Sequence, residues 1–173
     1  MTRIGLLSDT HGYFDDRIAY HLRDADEIWH AGDFGSSEIV LQLAGLAPVF
    51  RGVYGNIDGA AVRYTEPLVQ IFTVEGLQVL MTHIGGYPGH YVPAARQLLA
   101  QAKPGLFVCG HSHILRIMPD PKFGLLALNP GAAGRHGFHH VRTLLRFGID
   151  KGRVVDLQAV ELGPRTAVLD TGR

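Results

Sequence analysis

Short apolar runs alternate with stretches of helical periodicity through the first half of the chain, and most runs end in a polar residue beside glycine. Arg3 to Leu7 is a compact apolar run closed by Ser8-Asp9, and Phe14, Ile18 and Leu22 then recur at helical spacing. This predicts a strand followed by a helix over Tyr13 to Leu22. Glu27 to Ala31 reads as a second strand ending in Gly32-Asp33, and Ser36 supplies a cap for a helix running to about Leu46. Val49 to Val53 is a third strand, ending in Gly55-Asn56. A β, α, β, α, β order favours parallel strands joined by helical crossovers.

The second half changes character. Val69 to Val74 and Leu77 to Met81 flank Glu75-Gly76, a hairpin signal, and Pro93 to Ala102 reads as a helix with proline in its first turn. Leu106 to Cys109 is a buried strand ending in Gly110, and the rest reads as strands over Ile114 to Met118, Leu125 to Leu128, Val141 to Ile149 and Val154 to Val160. Gly163 to Arg173 carries little pattern and reads as a loose tail, which leaves a single domain over residues 1–162. The fold class is α/β, with two packed β-sheets flanked by helices.

Composition narrows the function. Apolar residues make up 46% and charged residues 18% of the 173 positions, and the formal net charge is zero. Bulk attraction to nucleic acid or anionic membrane relies on excess Lys and Arg, so neither is expected. The apolar run in MTRIGLLSDTHG is too short for a signal peptide or membrane span. Cys109 is the only cysteine, which removes any internal disulfide or thiolate cage and makes the cytoplasm the simplest location.

Against this plain background stand ten histidines and 22 glycines. Past the ends of the strands lie Asp9 and His11, Asp33, Asn56, His83, and then His111 and His113. Ligand sites of open α/β sheets lie at the carboxyl ends of the strands, so these groups are expected to converge. In D-T-H and H-S-H the paired residues are two apart, and an extended backbone would point each pair to one side as a chelate. Asp33 has two oxygens with which to bridge two ions. Mixed oxygen and nitrogen ligation suits Mn²⁺, Fe, Co²⁺, Ni²⁺ or Zn²⁺, with Mn²⁺ the first expectation. Two such ions about 3.5 to 4 Å apart promote in-line displacement at phosphorus.

Each fragment alone has a plainer explanation as a helix cap or a turn. Taken in order, Asp9-Thr10-His11, Gly32-Asp33, Gly55-Asn56, His83 and Gly110-His111-Ser112-His113 resemble the calcineurin-like metallophosphoesterase superfamily. Chain length and Asn129-Pro130-Gly131 are most similar to its small YfcE-type phosphodiesterases, and the retromer subunit Vps29 is similar to the same branch. The resemblance implies an αββα sandwich with two metals, one held by Asp9, His11, Asp33 and His113 and the other by Asp33, Asn56, His83 and His111. It implies phosphodiester hydrolysis by attack of a metal-bridging hydroxide, with Asn56, His83 and His111 closest to the chemistry. A small-molecule phosphodiester is the expected partner, with room for a homo-oligomer. The rival reading is a protein-interaction scaffold of the same fold with little or no catalysis.

One departure bears on mechanism. Many members carry Gly-Asn-His, whose histidine is thought to protonate the leaving oxygen, and here that position is Ile57. No acid is therefore assigned. His90, Tyr87 and His136 lie in glycine-rich loops from which a proton could come, and Arg135 is a candidate phosphate contact alongside His90. Ile84 is a second departure, since glycine is common after the histidine at position 83. Asp58 reads as a solvated turn carboxylate, with orientation of a neighbour or pairing with Arg51 or Arg63 as alternatives. His30 reads as packed or supporting.

Overall fold

The computed structural model describes residues 1–167. These residues fold as β1 (Thr2–Leu7), α1 (Asp16–Leu22), β2 (Glu27–His30), α2 (Ser37–Ala44), β3 (Val49–Gly52), α3 (Ala60–Thr65), β4 (Val69–Val74), β5 (Leu77–Thr82), α4 (Pro93–Ala102), β6 (Leu106–Val108), β7 (Leu115–Asp120), β8 (Leu125–Pro130), β9 (Val141–Asp150) and β10 (Arg153–Pro164). One sheet has the order β10-β9-β1-β2-β3 and the other β4-β5-β6-β8-β7. In the first, β1, β2 and β3 run parallel and β9 pairs antiparallel with β1. In the second, β5, β6 and β8 run parallel between antiparallel edge strands. Both sheets are mixed, as expected of the sandwich.

The alternation of side chains along a strand divides the core into layers. Ile4 and Leu6 of β1, Trp29 of β2, Val79 and Met81 of β5, and Leu106 and Val108 of β6 meet between the sheets. Their neighbours turn the other way: Leu7 and Ile28 pack outward with Ile18, Leu22, Ile39 and Leu43 under α1 and α2. Leu80 and Phe107 likewise face Ala95 and Leu99 of α4. Trp29 is fully buried in the inner layer, where its indole N–H donates to Glu27. Truncating such a side chain to Ala typically costs about 3–5 kcal/mol.

Three boundaries differ from expectation. Helix α1 starts at Asp16 rather than Tyr13, because the Asp15 carboxylate caps it by accepting from the Ile18 N–H at 3.0 Å. Helix α3 has one buried residue, Val62, so no apolar period announces it. Strand β10 continues to Pro164, with register shifts between Val155 and Gln158 and between Glu161 and Gly163 that break its alternation. Gly163 and Pro164 therefore belong to the sheet, paired with Arg142 and Val141. Residues 168–173 of the expected tail lie outside the described residues.

Candidate metal centre

Parallel strands end on one edge, and the loops leaving β1, β2, β3, β5 and β6 bring all seven candidate ligands there. The backbone does so by turning sharply. Asp9, His11, Asp33, His111 and His113 all have positive φ, between 45° and 69°. That region is uncommon for residues other than glycine, though Asp, Asn and His tolerate it best. The extended geometry expected for D-T-H and H-S-H is therefore absent, and the outcome differs for the two. Asp9 and His11 do meet, together with His113, but His111 joins Asp33 and His83 instead. The H-S-H pair is thus split between two groups.

Within the first group, Asp9 Oδ1 lies 3.1 Å from His113 Nε2 and 3.7 Å from His11 Nε2. Within the second, Asp33 Oδ2 lies 3.2 Å from His83 Nε2, and it is also 3.6 Å from His11 Nε2. Asp33 accordingly touches both groups, but through a single oxygen. Its Oδ1 also accepts the Ile57 N–H at 3.0 Å, which leaves that oxygen a second lone pair. Asn56 Oδ1 completes the arrangement, 3.0 Å from both His83 Nε2 and His111 Nδ1.

Tautomers decide what these contacts mean. The carbonyl of Ala31 can only accept, so His83 Nδ1 donates to it at 2.7 Å and the neutral ring presents an Nε2 lone pair. That lone pair faces Asp33 and Asn56 oxygens. His139 Nε2 must likewise donate to the Gly134 carbonyl at 2.9 Å, which leaves its Nδ1 to accept from His113 Nδ1 at 3.3 Å. His113 Nε2 then aims a lone pair at Asp9. Asp9 Oδ1 and His11 Nε2 are buried with no hydrogen-bond partner. Lone pairs converging in this way repel one another unless a cation lies among them, so the residues fit divalent metal.

The titration behaviour of the protein groups follows the same logic. Burial opposes ionisation of Asp9, but His11 and His113, which donate to it when their rings carry a second proton, the His83 charge and the Ser8 hydroxyl outweigh it and hold the carboxyl below its ordinary range. Burial also opposes the His83 imidazolium, yet the Asp33 hydrogen bond and the Asp9 and Asp33 charges raise its pKa. The cluster draws positive charge.

A supporting layer fixes these side chains. His30 is fully buried, its Nδ1 accepting the Gly32 N–H at 3.1 Å and its Nε2 donating to Thr10 Oγ1 at 3.0 Å. Burial pushes its pKa down to about 3, so it stays neutral and locks the β1 and β2 loops together. Asp58 is buried rather than solvated, and its carboxylate accepts from the Phe34, Gly35 and Gly55 N–H groups at 3.2, 2.9 and 2.8 Å. It pins the Asp33 loop to the Asn56 loop. A Cβ at Gly55 would overlap the Asp33 carboxylate, and one at Gly110 would overlap Ser8 Oγ and Asp9. Asn129 donates to the Gly110 carbonyl at 2.9 Å and so steadies the last ligand loop.

A family model for the calcineurin-like phosphoesterase superfamily domain matches residues 2–152. The chain belongs to this superfamily. A probable metallophosphoesterase of Methanothermobacter thermautotrophicus is 32% identical over 136 residues, covering 75% of this chain and 76% of that protein. Among solved structures, a novel archaeal phosphodiesterase superposes with a TM-score of 0.73 at 18% identity, over 92% of this chain and 99% of its own. Vps29 of Entamoeba histolytica complexed with Zn²⁺ gives 0.72 at 16% identity, over 95% and 99%. At those identities the likeness of the two structures is one of fold.

The remaining candidates of this phosphoesterase separate into near and far. The His136 ring lies 4.8 Å from that of His11, and a cavity of about 530 Å³ over the ligands is lined by His136, Ile57, Ile114 and Phe138. His90 is exposed with its ring 4.8 Å from Tyr87, and Tyr87 in turn carries the Arg116 guanidinium at 3.9 Å. Arg135 lies over Tyr13 at 4.8 Å and lines a different cavity, with Asp15, Arg17 and Arg142. The structure does not bring Arg135 into the ligand cavity. The contact of His139 with His113 was not anticipated from the sequence, and Asp58 takes the alternative role of orienting neighbours rather than that of a solvated turn carboxylate.

Proposed function

We propose that this phosphoesterase is a dinuclear, metal-dependent phosphodiesterase acting on a small-molecule diester. The observation that carries the reading is the pair of imidazole lone pairs, His113 on Asp9 and His83 on Asp33, with Asp33 Oδ2 within 3.6 Å of His11 in the neighbouring group. Asp9, His11, Asp33 and His113 would hold one ion and Asp33, Asn56, His83 and His111 the other, with Mn²⁺ the first candidate. Ions held there supply Lewis acidity toward a phosphoryl oxygen and ease the loss of a proton from water.

The chain's own contribution is orientation. His139 and the Ala31 carbonyl hold the Nδ1 protons of His113 and His83, so both rings keep Nε2 free for metal. Asp58 sets the distance between the Asp33 and Asn56 loops. At the mouth, Ile57 is 48% exposed and offers no proton, so the leaving oxygen must depart without help from that position. Diesters with good leaving groups, such as aryl diesters, are therefore the favoured substrates.

A second reading rests on the rim, where Phe138 is 99% exposed beside Ile57 and Ile114. Apolar residues gathered at a mouth also suit a protein partner. One experiment separates the two: elemental analysis of purified protein together with turnover of bis(4-nitrophenyl) phosphate under added Mn²⁺. Two bound ions and turnover support the enzyme. No uptake and no turnover across several divalent ions supports the scaffold.

A further inference from the structure

A second cavity, of about 390 Å³, opens alongside the ligand cluster and shares Asn56 and His83 with it. Its lining is mostly apolar, with Tyr54, Leu68, Val69, Ile84, Val92 and Leu98. The lining contains no carboxylate and one cation, Arg63, whose guanidinium lies 4.6 Å over Tyr54 and whose Nε donates to the Asp58 carbonyl at 2.6 Å. Such a wall disfavours a polar or cationic occupant. It suits the apolar part of an anionic molecule whose charged end lies at Asn56 and His83. The volume is near the lower end of ligand cavities, roughly 300–1,000 Å³, which fits one ring-sized group rather than a polymer.

We propose that this groove is the subsite for an aromatic ester substituent of the phosphodiester. The proposal rests on the phosphodiesterase reading above and narrows its substrate class to diesters with at least one ring-sized apolar arm. Leu68 and Ile84 are 55% and 41% exposed, so two large aliphatic side chains otherwise in water would be covered when the arm is seated.

The test is a titration of the full-length, Mn²⁺-loaded protein with two anions that cannot be hydrolysed, diphenylphosphinate and dimethylphosphinate, with inorganic phosphate as the probe of the ligand cluster alone. Diphenylphosphinate is expected to bind about tenfold or more tightly than dimethylphosphinate, the scale of one buried apolar group. Ala94→Phe fills the groove from the exposed start of α4, and Leu68→Asn places a neutral polar group in its wall. Either is expected to weaken diphenylphosphinate by about tenfold while leaving inorganic phosphate unchanged. Equal binding of the two phosphinates, no binding of either, or a preference that survives both substitutions overturns the subsite. Turnover of bis(4-nitrophenyl) phosphate is read separately. Preference without turnover keeps the subsite and removes the hydrolase reading, and turnover without preference does the reverse.

Discussion

Asp9, His11 and His113 form a group whose carboxylate is wholly buried and whose imidazoles are largely so, whereas Asp33, His83 and His111 end in the exposed His111 ring, and His83 also lines an apolar groove. Asp9 is held from behind. Ser8 Oγ donates to its Oδ2 at 2.5 Å, the His111 N–H donates to the same oxygen at 3.1 Å, and His139 fixes the tautomer of His113. In the second group Asp33 and His83 are buried, and Asn56 Oδ1 lies 3.0 Å from both His83 Nε2 and His111 Nδ1. The difference is one of exposure and support, with His11 and His113 of the first group and Asp33 and His111 of the second lining one cavity.

The strongest way to break that comparison is to remove what the groups share. Asp33→Ala is expected to abolish uptake of both ions and to lower diester turnover by on the order of 10³ or more, since the shared oxygen serves both. His111→Ala touches only the open group and should leave one ion bound. Elemental analysis distinguishes them. Equal metal content in the two variants would show that the groups are not separate.

A smaller effect, on stability, comes from Asp58. Replacing it with Ala strands three N–H groups of Phe34, Gly35 and Gly55, two of them in buried residues, and water reaching the vacated space would satisfy some of them. The expected loss is about 2–4 kcal/mol, read by urea unfolding with an unchanged m-value. A loss well under 1 kcal/mol, with metal uptake intact, would show that the two loops hold their spacing without it.

The depth of legibility differs between these examples. The sandwich could be read from the sequence because short apolar runs alternate with helical periodicity in the first half and strand signals dominate the second. The convergence of the seven candidate residues was legible because each follows a strand end, a position topology forces to one edge. Their grouping was not, because spacing arguments assume an extended backbone while Asp9, His11, Asp33, His111 and His113 sit in left-handed turns. Asp58 and His139 act through contacts with residues far along the chain, and no local pattern encodes those. The family resemblance places His111 and His113 on different ions, and the two side chains fall in different groups here.

His139 offers a finer cut through the same comparison. His139→Phe keeps a ring but removes the acceptor that orients His113 Nδ1–H. Loss of such an outer partner typically weakens metal affinity about 10- to 100-fold, and here only the buried group should weaken. Competition with a chelator, followed by elemental analysis, measures whether one ion leaves before the other. Simultaneous loss would mean that the tautomer of His113 does not govern the buried group.

The open group is sharpened by Ile57, whose N–H serves Asp33 while its side chain faces the cavity. Ile57→His keeps that backbone hydrogen bond and places an imidazole where a leaving oxygen can be protonated. General acids contribute typically 10²–10⁴ where they are well placed, but this ring has no partner built to orient it, so a gain of about tenfold is expected. The gain should appear with alkyl leaving groups and be absent with 4-nitrophenolate, which departs unaided. It should also require the imidazolium, so the advantage fades as pH rises through the ring's pKa. Rates for an alkyl and an aryl diester, measured side by side across pH, give the answer. An equal change in both would place the effect in binding, and no change in either would mean that proton supply is not what limits the open group.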